Sequence, residues 1–237
     1  MEKCYKIAGV KVRMNTFGRT ESQSLPYMMK DCKDVDITIQ SDMEYIRKLY
    51  PNMSEDGCEY MASGRDFYIQ LLNFNGLMIH SSALVMNGKA YLFSADCGTG
   101  KSTHVCLWRR VFGDENVRVL NDDKPAVRLE NGVWYAYGTP WCGKTAQNAN
   151  IRVPLGGIAV LERGEKNEIE PFGGRKAMQA IFAQTSILTN RADYIKQLDL
   201  LDKLMSQVPI WKLRCNMEPE AAIVAYEAMS GEKWREE

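Results

Sequence analysis

Residues 93–103 read FSADCGTGKST, and the spacing of their glycines, lysine and hydroxyls suits the gripping of a phosphate chain. Gly98 and Gly100 allow successive backbone N–H groups to turn inward on phosphate oxygens. Lys101 brings a point charge to the β and γ phosphates, and the Ser102 hydroxyl is the group that would hold Mg²⁺. Asp96, Cys97, Thr99 and Thr103 complete the stretch as candidate nucleotide contacts. A helix beginning at Lys101 would add its N-terminal dipole to such an anion site. Ala95 stands where the pattern has its first glycine. Alanine costs about 1 kcal/mol or more if that position needs positive φ, and the expectation here is that it does not. Oxidation of Cys97, inside the loop, would block a bound nucleotide.

About 20 residues further on, the short strand VRVL ends in Asn121-Asp122-Asp123. Phosphoryl transfer needs a carboxylate beside Mg²⁺ at a strand end near the loop. A second carboxylate able to accept the proton of an attacking hydroxyl would turn a nucleotide binder into a kinase. Adjacent residues of an extended chain point to opposite sides, so both serve one site only if the chain bends, and Pro125 favours a bend. A solvated Asn-Asp-Asp-Lys-Pro turn fits the same residues. His80, before the hairpin that delivers the loop, is either an orienting or proton-handling group or a structural histidine. Lys144 and Arg152 flank the polar stretch TAQNANIR, where a basic side chain would stabilise charge on a transferring phosphoryl group or simply be solvated. Trp141 reads as core.

The elements that must position these groups follow from periodicity. SALVMNGKAYLFS is a hairpin turning on Asn87-Gly88, and its second strand runs straight into the loop. Lys101 to about Phe112 has helical spacing, with Val105, Trp108 and Phe112 on one face. PAVRLENGVWYAYG is a second Asn-Gly hairpin, and residues 152–164 form a buried strand. Residues 5–14 and 35–40 alternate as strands. Residues 41–51 read as a short helix with Ser41 and Glu44 as a capping box, residues 52–64 as a loop, and residues 66–74 and 76–80 as strands. GRKAMQAIF and residues 190–207 are helical by period, 208–215 is a last strand, and EPEAAIVAYEAMS a last helix. Hairpins imply antiparallel pairing, so the expected fold is one α/β domain with a mixed sheet.

Composition narrows the function classes. The 237 residues carry 30 basic and 30 acidic side chains with no long single-sign block, which argues against nucleic acid or anionic lipid as partner. No apolar run approaches a membrane span of about 20 residues, and the first residues lack the apolar core of a signal peptide. Seven cysteines without a C-x-x-C pair read as reduced thiols of a cytoplasmic protein. Only two histidines, 80 and 104, are present, so a structural zinc site is not expected.

His80 in GLMIHSSALVMNG, the loop ADCGTGKST and the pair in LNDDKPAV occur in an order that resembles HPr kinase/phosphorylase. The likeness is greater to shorter HPr-kinase-related proteins, including peptide serine kinases of lasso-peptide biosynthesis. It continues through GTPWCGK and VPLGGIAVLERGEKNEIEPF to VPIWKLRCNMEPEAAIVAYEAM, covering roughly residues 76 to 230. The resemblance implies a phosphoenolpyruvate-carboxykinase-like P-loop domain with a largely antiparallel sheet and C-terminal helices, residues 1–75 packing on a kinase core of 76–230. It further implies ATP and Mg²⁺ as cofactors and transfer of the γ-phosphoryl group to a serine hydroxyl of a peptide or small protein. Asp122 would be the base, Asp123 with Ser102 would serve the metal, and His80, Lys101 and Lys144 would stand at the transferring group. It makes self-association an expectation. With about 75 residues before His80, the separate N-terminal domain of full-length HPr kinase is not expected here, which puts HPr as substrate in doubt. Two other readings keep the loop: a nucleotide-binding regulator without transferase activity, and a kinase of free serine or another metabolite.

Overall fold

The computed structural model describes residues 3–235. The chain opens with strands β1 (Lys3–Ile7) and β2 (Val10–Met14), helix α1 (Gly18–Ser24), strand β3 (Ile37–Thr38), and helices α2 (Met43–Leu49) and α3 (Glu55–Leu71). Strands β4 (Gly76–Met78), β5 (Ser81–Met86) and β6 (Lys89–Ser94) lead to helix α4 (Lys101–Phe112). Strands β7 (Arg118–Asn121), β8 (Ala126–Glu130), β9 (Val133–Tyr137), β10 (Arg152–Arg163) and β11 (Glu168–Pro171) follow, then helices α5 (Gly174–Phe182) and α6 (Arg191–Gln207), strand β12 (Ile210–Cys215) and helix α7 (Glu220–Ser230).

Nine strands form one mixed sheet. The first residues of β10 pair with β9, antiparallel, and its later residues lie between β6 and β12, both parallel to it. One long strand therefore belongs to two runs, and the sheet curls around it. The other pairings among the described residues of this sheet are antiparallel, as the hairpins predict. Both Asn-Gly turns have positive φ at each central residue, Asn87 51° and Gly88 72°, Asn131 49° and Gly132 82°, the geometry that matches strand twist.

Helices cover both faces. Trp108 and Phe112 of α4 pack with Ala221, Ala225 and Tyr226 of α7 on one side, against Tyr91 and Phe93. Ala177 and Ile181 of α5 and Leu200, Leu201 and Leu204 of α6 cover the other, against Leu92, Val127 and Ile158. The small sheet β1–β2–β3 and α3 make a third core that closes on Ala126, Tyr137 and Trp141 of the main sheet and its loops.

Most departures from the periodicity reading fall before residue 75. The single strand expected over 5–14 is a hairpin, because Ala8 (φ 49°) and Gly9 (φ 82°) turn the chain between Ile7 and Val10. The strand expected over 35–40 shrinks to two residues. The capping box is displaced by one residue: Ser41 has φ 52°, and Asp42 caps α2 by accepting from the Tyr45 N–H at 3.0 Å. The expected loop 52–64 and strand 66–74 are largely one helix, α3, capped by Ser54. Its buried face, Tyr60, Gly64, Phe67, Tyr68 and Leu71, has helical spacing that two glycines and an aromatic-rich run disguise. Gly64 marks close packing: a Cβ there would come within 2.9 Å of the Trp141 ring. Strand β11 is an addition to the sequence reading.

Cys4 and Cys32 form a disulfide with Cα atoms 5.3 Å apart, contrary to the expectation of uniformly reduced thiols. The other five cysteines are free. Among the described residues no helix is long and apolar enough to cross a membrane.

Candidate functional site

The loop expected to grip phosphate leaves β6 beside the parallel strand β10, where Ser94 pairs with Val160. Crevices at the carboxyl ends of such strands are common ligand positions. Ala95 is 4% exposed, packs with the Trp108 cluster and is not among the residues of positive φ. It serves as a small core residue and needs no glycine. Gly98 (φ 78°) and Gly100 (φ 121°) do need theirs, and a Cβ at either would face open space. The loop's glycines thus leave an uncrowded concave backbone at the start of α4, with Ser102 and Thr103 exposed.

Lys101 is buried, and its ammonium donates to Ala95 O at 2.9 Å and Asp96 O at 3.3 Å. Burial draws its pKa down, against the opposing pull of Cys97, Asp123, Asp96 and Asp122. Arg163, the last residue of β10, pins the loop from the other side through the carbonyls of Gly98 and Thr99. Sequence reading missed Arg163, because its position in a strand 64 residues beyond Thr99 carries no local signal. A cleft of about 650 Å³ runs along Ala95–Thr99, bounded by Val160–Arg163 and by Ala180, Ala183 and Gln184.

The bend that brings two adjacent carboxylates to this place is made by Asn121. Its Oδ1 accepts from the Asp123 N–H (2.9 Å) and the Lys124 N–H (2.8 Å), and its Nδ2 donates to Thr139. The two carboxylates then take separate partners. Asp122 Oδ1 accepts from the Ser82 hydroxyl at 2.6 Å, and Ser82 Oγ lies 3.4 Å from Ser102 Oγ. Asp122 Oδ2 accepts from the Thr145 hydroxyl at 2.9 Å. Ser102 is therefore linked to Asp122 through Ser82, whereas the expectation set Ser102 with Asp123 as ligands of one metal.

Asp123 is held by three donors: His80 Nε2 at 3.3 Å, the Tyr60 hydroxyl at 2.6 Å, and the Lys124 ammonium. Burial alone would raise its pKa, but His80, Lys124 and Tyr60 outweigh it and hold the carboxyl well below the ordinary range. It is a fixed anion. Burial raises the Tyr60 phenol far above its usual value, so Tyr60 stays a donor to Asp123 while accepting from the Gly143 N–H at 2.8 Å. Tyr60 lies on α3, in a segment read as loop, which is why the sequence did not disclose it.

His80 links the two halves of the site. Gln184 Nε2 donates to Asp96 Oδ1 (2.9 Å), which turns its Oε1 toward His80 Nδ1 (3.0 Å). Each ring nitrogen of His80 thus faces an oxygen, Nδ1 that of Gln184 and Nε2 that of Asp123. The Gln184 carbonyl also accepts from the His80 N–H at 2.7 Å. Lys144 is not brought in: it sits exposed on a turn and makes no hydrogen bond or ion pair among the described residues. Arg152 points away, pairing with Glu130 at 3.1 Å and stacking on Tyr135. Trp141 is fully buried core.

Among solved structures, the HPr(Ser) kinase/phosphatase from Coxiella burnetii is similar at 11% identity and a TM-score of 0.34, over 65% of this chain and 93% of that one. That likeness is too slight to argue from. A search of curated proteins finds no match. A family model described as SynChlorMet cassette protein ScmC matches residues 61–220, which takes in Tyr60's helix from its next residue onward, His80, the glycine-rich loop at 95–103, both aspartates and Gln184. That match spans more than half of the 237 residues, and the chain belongs to the ScmC family of SynChlorMet cassette proteins.

Proposed function

We propose that this chain is an ATP- and Mg²⁺-dependent kinase that transfers the γ-phosphoryl group to a serine-type hydroxyl of a peptide or small protein. The observation that carries this reading is the line Ser102–Ser82–Asp122, which joins the mouth of the phosphate loop to an accessible carboxylate. The residues suit the implied ligands. The cradle at Gly98 and Gly100 is open, and Ser102 and Asp122 offer the hard oxygens that Mg²⁺ takes. Among the described residues no cluster of three or more histidines, cysteines or carboxylates could hold a metal. Mg²⁺ commonly keeps several waters and is held by one or two carboxylates plus the phosphates of its substrate. Bound there, ATP supplies the phosphoryl group and Mg²⁺ neutralises charge on its β and γ oxygens.

Ser102 would hold the metal, and Lys101 would exchange two loop carbonyls for phosphate oxygens. Asp122 Oδ2 takes the proton of the acceptor hydroxyl. Asp123 is unsuited to that step, because a carboxylate held anionic by three donors is a weak base; it orients His80 and Lys124 beside the transferring group. The resemblance to HPr-kinase-related proteins supports Asp122 as the base; it implies Asp123 beside Ser102 at the metal, and here Ser82 sets Asp122 nearer to Ser102.

The test is incubation with γ-labelled ATP, Mg²⁺ and serine peptides. Asp122→Asn should lower transfer by about 10²–10⁴-fold while nucleotide binding persists. An Asp122→Asn protein that transfers as fast as its parent removes Asp122 as the base, and ATP binding that never yields acceptor-dependent ADP leaves a nucleotide-binding regulator instead.

A further inference from the structure

Thr145 stands where an acceptor hydroxyl would have to stand. Its Oγ1 donates to Asp122 Oδ2 at 2.9 Å, the carboxylate oxygen opposite the one that faces Ser82 and Ser102. Thr145 is exposed, so water would satisfy its hydroxyl equally well. Its attachment to Asp122 is a product of how the turn is held.

That turn is fixed at its base and exposed at its tip, where Thr145 Oγ1 also lies 3.5 Å from Cys142 O and from Gln147 N. The Gly143 N–H donates to Tyr60 and its carbonyl accepts from Gln23 at 2.9 Å. On the far side, the Ala149 N–H donates to Leu120 O at 2.9 Å, and Asn148 bridges to Asn121. Between these anchors Lys144, Thr145, Ala146 and Gln147 are exposed. Ala146 adopts φ 54°, a conformation that alanine takes at a cost, and it turns the chain so that Thr145 is presented inward.

We propose that Thr145 is a self-acceptor: with ATP bound and no other hydroxyl on Asp122, Thr145 receives the γ-phosphoryl group within the same molecule. The inference rests on the kinase reading above. As Thr145 Oγ1 bonds to the γ-phosphorus, Asp122 Oδ2 takes the hydroxyl proton. The bond from that phosphorus to the β–γ bridging oxygen breaks, and ADP leaves with the electron pair. ATP and the threonine hydroxyl become ADP, phosphothreonine and a proton later released from Asp122. The new phosphate carries a charge of about −2 and is repelled by Asp122, and Lys144, adjacent in the chain and exposed, is a cation that could turn to it.

The experiment incubates the full chain with ATP and Mg²⁺, without a peptide, and follows ADP formation, intact mass and the site of modification. The expected result is one phosphate on Thr145, formed at a rate per molecule that stays constant over about a tenfold range of protein concentration, as an intramolecular step requires. Thr145→Ser should retain the modification, whereas Thr145→Val and Asp122→Asn should lose it. A phosphate mapped elsewhere, a mark that persists in Thr145→Val, or a rate that rises with protein concentration overturns the proposal. ADP formed without phosphothreonine overturns it and leaves the kinase reading standing. Neither ADP nor phosphoprotein, with or without serine peptides, sinks the kinase reading and this inference with it.

Discussion

Replacing Glu59 by glutamine should stabilise the protein at alkaline pH and leave it nearly unchanged in mild acid. Glu59 lies on the buried side of α3, 1% exposed, and neither carboxyl oxygen has a hydrogen-bond partner. Burial pushes its pKa from 4.5 up to about 7, helped by Asp56 and opposed by nearby Thr20, Ser63 and Arg19. The folded protein thus holds a proton that the unfolded chain has released. Between 4.5 and about 7 the native state binds more protons, so stability falls as pH rises through that window. At about 1.4 kcal/mol per pKa unit, the gap comes to about 3 kcal/mol lost by pH 8. Glutamine has the shape of the neutral acid and never ionises. Urea unfolding followed by tryptophan fluorescence should therefore show Glu59→Gln and the parent within about 0.5 kcal/mol near pH 4.5, with the variant about 3 kcal/mol more stable near pH 8. A difference of the same size at both pH values, or a variant less stable near pH 8, would refute the argument. Either result would mean that water or a counter-charge satisfies the ionised carboxylate.

Arg163→Ala should release the Gly98 and Thr99 carbonyls and weaken binding of a non-hydrolysable ATP analogue by about tenfold, the order expected for a lost charge-assisted hydrogen bond; isothermal titration calorimetry measures it, and unchanged affinity would show that the loop holds its shape unaided. Gly64→Ala places a methyl group within 2.9 Å of the Trp141 ring and should destabilise by about 1–3 kcal/mol through overpacking, read from the midpoint of urea unfolding. A neutral or stabilising Gly64→Ala would mean that α3 shifts to make room.

What the sequence disclosed depended on whether the cause was local. The Asn-Gly hairpins, the strand-loop-helix around Lys101 and the helical stretches after residue 173 are each set by residues adjacent in the chain, and they stand where periodicity put them. Ala95 belongs with these, since its fitness follows from backbone conformation at one residue. Before residue 75, tertiary contacts decide. Gly64 looks like a loop marker until Trp141, 77 positions away, is seen lying against it, and Phe67 and Tyr68 look like strand residues until their helical face meets the same ring. At the site, the types of Asp122, Asp123, His80 and Ser102 were legible, but their pairing was not. Asn121 decides which way each carboxylate turns, and no spacing rule reports a side chain that caps two N–H groups just beyond its own strand. Arg163, Gln184 and Tyr60 were missed for the same reason, being brought to the loop and to Asp123 by β10, by the end of α5 and by α3.

The placement of Tyr60 changes what the first 75 residues are for. A helix that merely covered the sheet could present any apolar face to Trp141, yet α3 sends a phenol past it to Asp123 and takes a hydrogen bond from Gly143 in return. Arg19 of α1 stacks on that phenol at 4.1 Å, and Gln23, also of α1, holds the Gly143 carbonyl. Both ends of the Asp123–Gly143 link therefore depend on the N-terminal helices, and Gly143 is the residue from which the Thr145 turn departs. The small β1–β2–β3 sheet keeps α3 in place through its shared core. Loss of that packing would free Asp123 from one of its three donors and loosen the turn that fills Asp122's second oxygen. The N-terminal helices thus supply part of the electrostatics around Asp123 in the candidate site.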